Sequence, residues 1–388
     1  MLPISQAPQE LPVPDADALE HSRRVAAHLQ EAIRAAGGAL PFTRYMELAL
    51  YAPGLGYYSA GARKFGAAGD FVTAPELSPL FSRCVARQCA EVLKTLDGGS
   101  ILELGAGSGV MAADVLLELK QLDRLPKEYL ILEVSADLKA RQQECLAAKV
   151  PELLPRVRWL DSLPERFVGV MLGNEVLDAL PVARFRKGSR GYEEYGVIEK
   201  GEGFAWTLRE PSRELAAALT ELDKTLKAPL AHGYASEICT VLPALFQSFA
   251  ASLKRGAILF LDYGYPRAAF YHPERRMGTL MCHYRQRAHG DPFLYPGLQD
   301  ITAHVDFSAV AEAGTAAGLE LAGYTTQAHF LLALGISEEA MASLQAAQQV
   351  KLLTLPDEMG ERFKVIGFSK GLELALGGFA LRDLAHTL

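Results

Sequence analysis

The chain has 388 residues, 49% hydrophobic and 22% charged, which suffices for one large α/β domain with insertions or for two domains. The formal net charge of −7 argues against a protein that mainly grips nucleic-acid phosphates, and we expect no nucleic-acid partner. No apolar run approaches the about 18 residues that cross a membrane, and five scattered cysteines predict reduced thiols without a metal site.

The N-terminal part of the chain is predicted to be helical. Its first residues are rich in proline and contain neither the apolar core of a signal peptide nor an arginine-rich leader, so we expect a cytoplasmic location. Apolar residues at helical spacing then predict two helices, the second over Thr43–Leu50. After a glycine-rich loop, Thr73 and Glu76 form a capping-box pattern that predicts a helix running to about Leu96. We assign residues 1–96 to this N-terminal helical region and loop.

Short apolar runs alternate with helical segments from residue 97 onward, which is typical of a parallel sheet with right-handed crossovers. The predicted strands are Ile101–Leu104, Tyr129–Glu133, Val157–Leu160, Val168–Leu172, Ala257–Leu261, Leu319–Tyr324 and Phe363–Ser369. Insertions interrupt this alternation after the fourth and fifth strands, at about 182–240 and 265–306. Residues 97–388 are therefore predicted to form a Rossmann-like α/β core whose seven-stranded sheet is mostly parallel. Before the last strand, Ser337–Leu353 has the pattern of one amphipathic helix capped by Ser337.

The turn after the first core strand has the spacing E-x-G-x-G-x-G, formed by Glu103, Gly105, Gly107 and Gly109. A dinucleotide fingerprint would place its third glycine at Val110, so this turn is of another type. Glycines allow the backbone to turn with positive φ and to lie directly against a ligand. The spacing resembles motif I of class I S-adenosylmethionine (SAM) methyltransferases, although a strand-to-helix turn without a ligand is the alternative.

Polar side chains follow the other core strands, at the sheet edge where open α/β proteins bind ligands. Glu133 could accept both hydroxyls of a ribose, and Asp161 with Ser162 could meet the adenine. Asn174–Glu175 and Asp262 follow the fourth and fifth strands. Any one of these acids alone could be a helix cap or a solvated loop residue. Together they indicate a binding site for a nucleoside with cationic parts.

Several longer segments resemble the MidA-like family of SAM-dependent methyltransferases, whose mitochondrial member assists the assembly of respiratory complex I. The resemblance is carried by Gly69–Ser78 (GDFVTAPELS), Pro41–Met46, Leu50–Tyr51, Gly56–Tyr58, Leu102–Gly109, Gly173–Val182 (GNEVLDALPV), Leu261–Gly264, Leu294–Phe307 and Met359–Val365. It implies a class I methyltransferase fold, SAM as cofactor and methylation of an arginine side chain on a protein, in the mitochondrial case a complex I subunit.

Arginine methylation requires an acidic site, because a guanidinium is protonated at ordinary pH and must be oriented by bidentate contacts. We expect Glu175 to hold the guanidinium, with Asn174 beside it and Asp178 on the same side if a helix begins there. Asp70 and Glu76 are expected to close over the ligand. The candidate cofactor-binding residues are Asp70, Thr73, Glu76, Glu103, Gly105, Gly107, Gly109, Glu133, Asp161, Ser162 and Asn174.

The leading hypothesis is a protein arginine methyltransferase whose partner is a complex I-type subunit, with a homodimer as one expected assembly. A small-molecule SAM methyltransferase is the enzymatic alternative, and two long polar insertions favour a macromolecular substrate over it. An assembly factor that binds SAM without turnover is the non-enzymatic alternative. No metal is expected, since nothing fixes a ligand geometry for His283, His289 and His304.

Overall fold

The computed structural model describes residues 11–60 and 73–388. The N-terminal elements are α1 (Ala16–Ala35), β1 (Leu40–Pro41), α2 (Phe42–Tyr51), α3 (Ala74–Leu77) and α4 (Pro79–Thr95). The predicted second helix is present as α2 with one more residue at each end.

The helix predicted from Thr73 to about Leu96 is broken into α3 and α4. Ser78 between them is extended, with ψ of 135°, and its hydroxyl caps the amide of Leu80. Pro79 causes the break, because a proline disfavours helical backbone in the residue before it and lacks an N–H. Thr73 is the N-cap of α3 and Glu76 is its third residue, as predicted, but the Thr73 side chain makes no capping hydrogen bond.

Strands and helices alternate through the first half of the core. They are β2 (Ser100–Leu104), α5 (Val110–Gln121), β3 (Tyr129–Leu132), α6 (Ala136–Lys149), β4 (Val157–Leu160) and β5 (Phe167–Asn174). Antiparallel strands and one helix follow as the first insertion: β6 (Ala183–Lys187), β7 (Tyr192–Lys200), β8 (Gly203–Arg209), α7 (Arg213–Thr225) and β9 (Ala235–Ile238).

The second half of the core contains the second insertion. The elements are α8 (Leu242–Ser252), β10 (Leu253–Tyr265), α9 (Arg267–Phe270), β11 (Met281–Tyr284), β12 (Arg287–His289), β13 (Asp300–Thr302), β14 (Val305–Asp306), α10 (Phe307–Ala316), β15 (Glu320–Thr326), α11 (Gln327–Ala333), α12 (Ile336–Glu339), α13 (Leu344–Thr354) and β16 (Phe363–Lys370). The single helix predicted over Ser337–Leu353 is instead α12 and α13, because Ser343 adopts an extended conformation and caps α13.

The central sheet confirms the predicted fold class. Its strand order is β15-β16-β10-β5-β2-β3-β4, with the short β14 paired to β10. Neighbours from β10 to β4 are parallel, whereas β16 is antiparallel to both β10 and β15. Alternate strand residues enter two separate apolar clusters, as Ile101 and Leu102 do, because successive side chains point to opposite faces. The sheet is therefore covered on both faces, as parallel sheets are.

The N-terminal region and both insertions pack together. Strand β1 pairs with β7, so the N-terminal segment joins the antiparallel sheet of the first insertion. Phe42 and Tyr45 of α2 pack in one apolar cluster with Val197 of β7 and Cys282 of β11. The division of the chain at residue 96 stays a prediction.

Candidate functional site

A cavity of about 400 Å³ lies at the carboxyl ends of the central strands. Eight of the predicted site residues line it: Thr73, Glu76, Glu103, Gly105, Gly107, Glu133, Asn174 and Glu175. Gly109, Asp161, Ser162 and Asp178 are outside the lining. Asp70 lies outside the residues that the structure describes.

The glycine turn wraps one side of the cavity. Gly105, Gly107 and Gly109 have φ of 61°, 54° and 84°, the left-handed conformation that glycine adopts without strain. A Cβ on Gly105 would also come within 3.1 Å of the Val176 side chain. Gly109 is the N-cap of α5, so the start of that helix and its amides face the turn.

Glu103 is a buried acid at the base of the turn. The Tyr129 hydroxyl donates a 2.7 Å hydrogen bond to its Oε2. Desolvation raises the pKa of Glu103 to about 7, although the Tyr129 bond opposes this. A cationic ligand in the cavity would stabilise its ionised form.

Glu133 is oriented by two bonds from neighbouring residues. The Ser135 amide donates to Oε1 at 2.9 Å, and Gln142 Nε2 donates to Oε2 at 3.2 Å. The Gln142 side chain also donates to the carbonyl of Gly107, which ties the second strand end to the glycine turn. Glu133 lines the cavity, and a carboxylate is chemically suited to accept hydrogen bonds from a pair of hydroxyl groups.

Glu76 contacts the glycine turn from α3. The Ser108 hydroxyl donates a hydrogen bond to Glu76 Oε1. Thr73 is buried and lines the same cavity, as does Pro75. The closure of Glu76 over the ligand stays a prediction.

Asp161 and Ser162 lie on the exposed rim beyond β4. The Asp161 side chain is 82% exposed and is paired with Lys139. Val134, Leu138 and Leu163 are among the apolar residues of the cavity wall. Apolar residues at strand ends carried no signal in the sequence, and only the fold shows that they line the cavity. The assignment of Asp161 and Ser162 to adenine stays a prediction.

Glu175 sits in a tight turn after β5, and the helix considered for 175–178 does not form. Its φ of 51° is unusual for a residue with a side chain. Asn174 Nδ2 donates to Glu175 Oε1 at 3.2 Å. The buried Oδ1 of Asn174 has no hydrogen-bond partner within the described part of the chain.

Asp262, at the end of β10, explains why the chain turns there. Its Oδ2 accepts hydrogen bonds from the amides of Val176, Leu177 and Asp178 at 3.1, 2.8 and 3.3 Å. Its other oxygen accepts from the amide of Tyr263, and the carboxyl group is fully buried. These bonds replace the backbone bonds that a helix would have supplied.

Asp178 lies behind the turn and not in the cavity wall. The Tyr263 hydroxyl donates to Asp178 Oδ2, and Oδ1 is buried without a hydrogen-bond partner in the described residues. Strand β10 therefore holds both residues: Tyr263 bonds the Asp178 side chain, and the Glu175 amide donates to the carbonyl of Leu261 at 2.9 Å. The placement of Asp178 as a catalytic residue stays a prediction.

Three neighbouring acids thus share one buried turn. Desolvation and the charge of Asp178 raise the pKa of Glu175 to about 8. Desolvation also raises the pKa of Asp178 to about 6, and that of Asp262 well above its ordinary value. Acids crowded in a low-dielectric site favour the neutral form until a cation arrives.

This cluster predicts how stability changes with pH. The pKa of the Glu175 carboxyl group is 4.5 in the unfolded chain and about 8 in the folded chain. The stability it contributes is complete below the unfolded value and is lost as pH rises through the folded value. Comparing urea unfolding of wild type and Glu175→Gln at about pH 5 and about pH 9, we expect the wild type to lose a few kcal/mol relative to the variant. Parallel pH curves would contradict this.

Two tyrosines complete the wall near Glu175, and sequence reasoning missed them as site residues. Tyr51 and Tyr58 line the cavity, and their rings stack with centroids 5.4 Å apart. The Tyr51 hydroxyl donates to the carbonyl of Ala179, and the Tyr58 hydroxyl donates to Asp300 Oδ1. Both come from the N-terminal region, so only the fold brings them to this strand edge.

The cavity fits SAM by the chemistry of its walls. Its volume is in the range of small-molecule sites, about 300–1,000 Å³. Glu133 would hold the ribose, the apolar wall the adenine, and the amides and acids of the glycine turn the charged methionine part. The described residues contain no group of three His, Cys, Asp or Glu side chains placed to hold a metal, and among them no helix is long and apolar enough to cross a membrane.

Known proteins are similar to this chain in sequence and in fold. A family model for S-adenosyl-L-methionine-dependent methyltransferases matches residues 84–325, more than half of the chain. A protein from Burkholderia thailandensis, whose crystal structure holds S-adenosyl-homocysteine, is 50% identical with a TM-score of 0.93. That match covers 98% of this chain and 100% of the other.

Curated relatives are named protein arginine methyltransferase NDUFAF7, mitochondrial. The zebrafish protein is 27% identical over 91% of this chain and 89% of its own length. The mouse protein is 29% identical over 87% of this chain and 82% of its own. Their mitochondrial names contradict the prediction of a cytoplasmic location.

The family match, the 50% identical structure with bound S-adenosyl-homocysteine and the geometry of the cavity agree. They confirm the predicted cofactor, S-adenosylmethionine, and the predicted enzyme class. The chain belongs to the MidA-like family of S-adenosyl-L-methionine-dependent methyltransferases.

Proposed function

We propose that this enzyme methylates the side chain of arginine in a protein substrate. The observation that carries the proposal is the acidic turn beside the cofactor cavity, where Glu175 lines the wall and Asp178 and Asp262 lie behind it. The names of the curated relatives support the same activity.

A guanidinium suits this turn electrostatically. A buried carboxylate with a pKa of about 8 is costly to ionise in the free enzyme, and a planar cation would offset that cost. Arginine keeps its charge when it leaves water and presents paired N–H donors to a carboxylate. Tyr51 and Tyr58 add aromatic surface beside Glu175, which suits a flat cation.

When bound, SAM supplies a methyl group activated by its sulfonium. In the proposed mechanism Glu175 accepts N–H bonds from the guanidinium and aligns one nitrogen with that methyl group. The Glu175 carboxylate then takes up the proton that the methylated nitrogen releases, for which a pKa near neutrality is suitable. Asn174 steadies Glu175 Oε1 through its amide.

We further propose that the substrate is a subunit of a respiratory complex I-type enzyme, and that the methylation serves assembly of that complex. The family resemblance supports this choice. The expected homodimer stays a prediction that light scattering of the purified protein can test.

The decisive test uses radiolabelled SAM and a cell lysate, with and without the purified enzyme. Label in one protein band that yields methylarginine after hydrolysis supports the proposal. Label that appears only in metabolites would favour the small-molecule alternative, and label in no product would favour a binding-only assembly factor.

Glu133 offers a test of cofactor binding that is independent of the substrate. We expect Glu133→Ala to weaken S-adenosyl-homocysteine binding by about 100-fold or more, because two charge-assisted hydrogen bonds are lost and each is worth about 1.5–3 kcal/mol. Isothermal titration calorimetry measures the change. Glu128→Gln is the matched control. Glu128 directly precedes β3, whereas Glu133 directly follows it, and Glu128 forms an ion pair with Arg158. Equal affinities of the two variants would remove Glu133 from the ribose site.

A further inference from the structure

A second and larger cavity, of about 780 Å³, lies beside the first. Leu177, in the turn after β5, lines both cavities. The same turn is joined to the second insertion, because the Ala303 amide donates to the carbonyl of Asp178 at 3.0 Å. A chain lying in the second cavity therefore passes next to the turn that carries Glu175.

Two helices from distant parts of the sequence line this cavity. From α7 the lining residues are Glu214, Ala217, Ala218, Thr220, Glu221, Leu222 and Thr225, and from α10 they are Ala309, Glu312, Ala313 and Ala316. The α10 residues lie three, four and seven positions apart from Ala309, so that helix presents one continuous face to the cavity. Alanines on both faces leave room for a polypeptide between them.

The walls are acidic. Five carboxylates line the cavity, at Glu214, Glu221, Glu237, Asp306 and Glu312. Arg267 also lines it, but its guanidinium is already paired with Asp306 and, through two 2.6 Å bonds, with Glu312. Glu221 is paired with Lys224, and Arg184 lies 3.5 Å from Glu237. The five carboxylates therefore have three cationic neighbours, and the net negative charge that remains attracts a cationic partner.

The cavity also contains buried polar groups with unused bonding capacity. Glu237 is 1% exposed, and its Oε1 accepts no hydrogen bond from the described residues, although Arg184 Nε lies 3.5 Å away. The buried Nδ1 of His304 also has no hydrogen-bond partner among those residues. Both side chains add polar character to the wall of the cavity.

We propose that this groove between α7 and α10 docks the basic polypeptide segment that flanks the target arginine. The inference rests on the proposed function, and it adds the chemistry of the substrate: an extended segment rich in lysine or arginine next to the methylated residue. Docking here would deliver a neighbouring arginine across Leu177 to Glu175.

The test is the binding of a fluorescein-labelled peptide of about twelve residues, long enough to cross the groove when extended, with a central arginine flanked by alternating lysine and glycine. Binding is measured by anisotropy in the presence of S-adenosyl-homocysteine. We expect Glu214→Lys/Glu221→Lys to weaken peptide binding about tenfold or more, because each reversal turns an attraction into a repulsion. Calorimetry should show unchanged S-adenosyl-homocysteine affinity, which would show that the double variant is correctly folded.

The matched control is Glu20→Lys/Glu31→Lys on α1, which changes the net charge equally. Glu20 pairs with Arg23 at i,i+3, as Glu221 pairs with Lys224. The control should bind the peptide within about twofold of wild type. Equal weakening in both double variants would show nonspecific attraction and overturn the proposal, as would wild-type failure to bind the peptide. The peptide-binding assay involves no methyl transfer. The docking proposal can therefore fail while the radiolabelling experiment still shows methylation of arginine, and the peptide can bind even if no arginine is methylated.

Discussion

Glu175→Gln is expected to lower the rate of methyl transfer by at least about 1,000-fold while S-adenosyl-homocysteine affinity stays within about twofold. Glutamine has the size of glutamate but cannot carry the negative charge that holds a guanidinium or accept its proton. Cofactor affinity should persist because the glycine turn and Glu133 belong to other strand ends. Single-turnover assays with labelled SAM measure the rate, and calorimetry measures the affinity.

Glu165→Gln is a suitable control for this experiment. Glu165 is an exposed carboxylate that precedes β5, whereas Glu175 follows it. The control should retain wild-type rates. A Glu175→Gln enzyme with normal turnover would remove Glu175 from the mechanism, and one that also failed to bind the cofactor would show that Glu175 holds the cavity open.

Asp262→Ala is expected to reduce both the stability and the activity of the enzyme. The substitution leaves the amides of Val176, Leu177 and Asp178 without their acceptor in a buried turn. Unsatisfied buried amides cost about 1–3 kcal/mol each, so we expect the free energy of unfolding to fall by at least about 3 kcal/mol. Methyl transfer should fall by at least about 100-fold, because the turn no longer fixes Glu175.

The variant Asp262→Asn distinguishes the role of Asp262 in positioning Glu175 from its role in folding. Burial and the charges of Asp178 and Glu175 raise the pKa of Asp262, so the neutral amide resembles its state in the free enzyme. The amide oxygen can still accept from the three turn amides, leaving the Tyr263 amide without its partner. We expect Asn to recover most of the stability and activity lost in Ala, measured by urea unfolding and single-turnover rates. If the Asp262→Asn variant were as inactive as Asp262→Ala but as stable as wild type, the negative charge of Asp262 would itself be needed for methyl transfer.

The sequence predicted several residues that line the cavity, because the signals for them are local. Gly105, Gly107 and Gly109 are required by a strand-turn-helix geometry that spans only a few residues. Glu103 and Glu133 could be placed at the sheet edge because alternating apolar runs indicated parallel strands, which present their carboxyl ends together. The fold class follows from the same alternation, whereas the order of the strands in the sheet is seen only in the structure.

Local patterns failed where a distant contact or a proline governs the backbone. Thr73 and Glu76 match a capping box, yet Ser108 from another segment engages Glu76. Pro79 then ends α3 and lets Ser78 begin a new helix. In each case the local sequence favours one backbone conformation, but tertiary contacts outweigh that preference.

The sequence alone thus determined that this chain forms a mostly parallel α/β sheet with a glycine turn and acidic strand ends. Only the tertiary structure decided that Asp262 and Tyr263 of β10 hold the turn of Glu175 and Asp178, and that Tyr51 and Tyr58 close its wall. The physical reason is that turns and periodicities are encoded within a few residues. The support of that turn joins residues 86 positions apart and depends instead on how the whole sheet pairs. Examples are the bonds from Glu175 to Leu261 and from Val176 to Asp262.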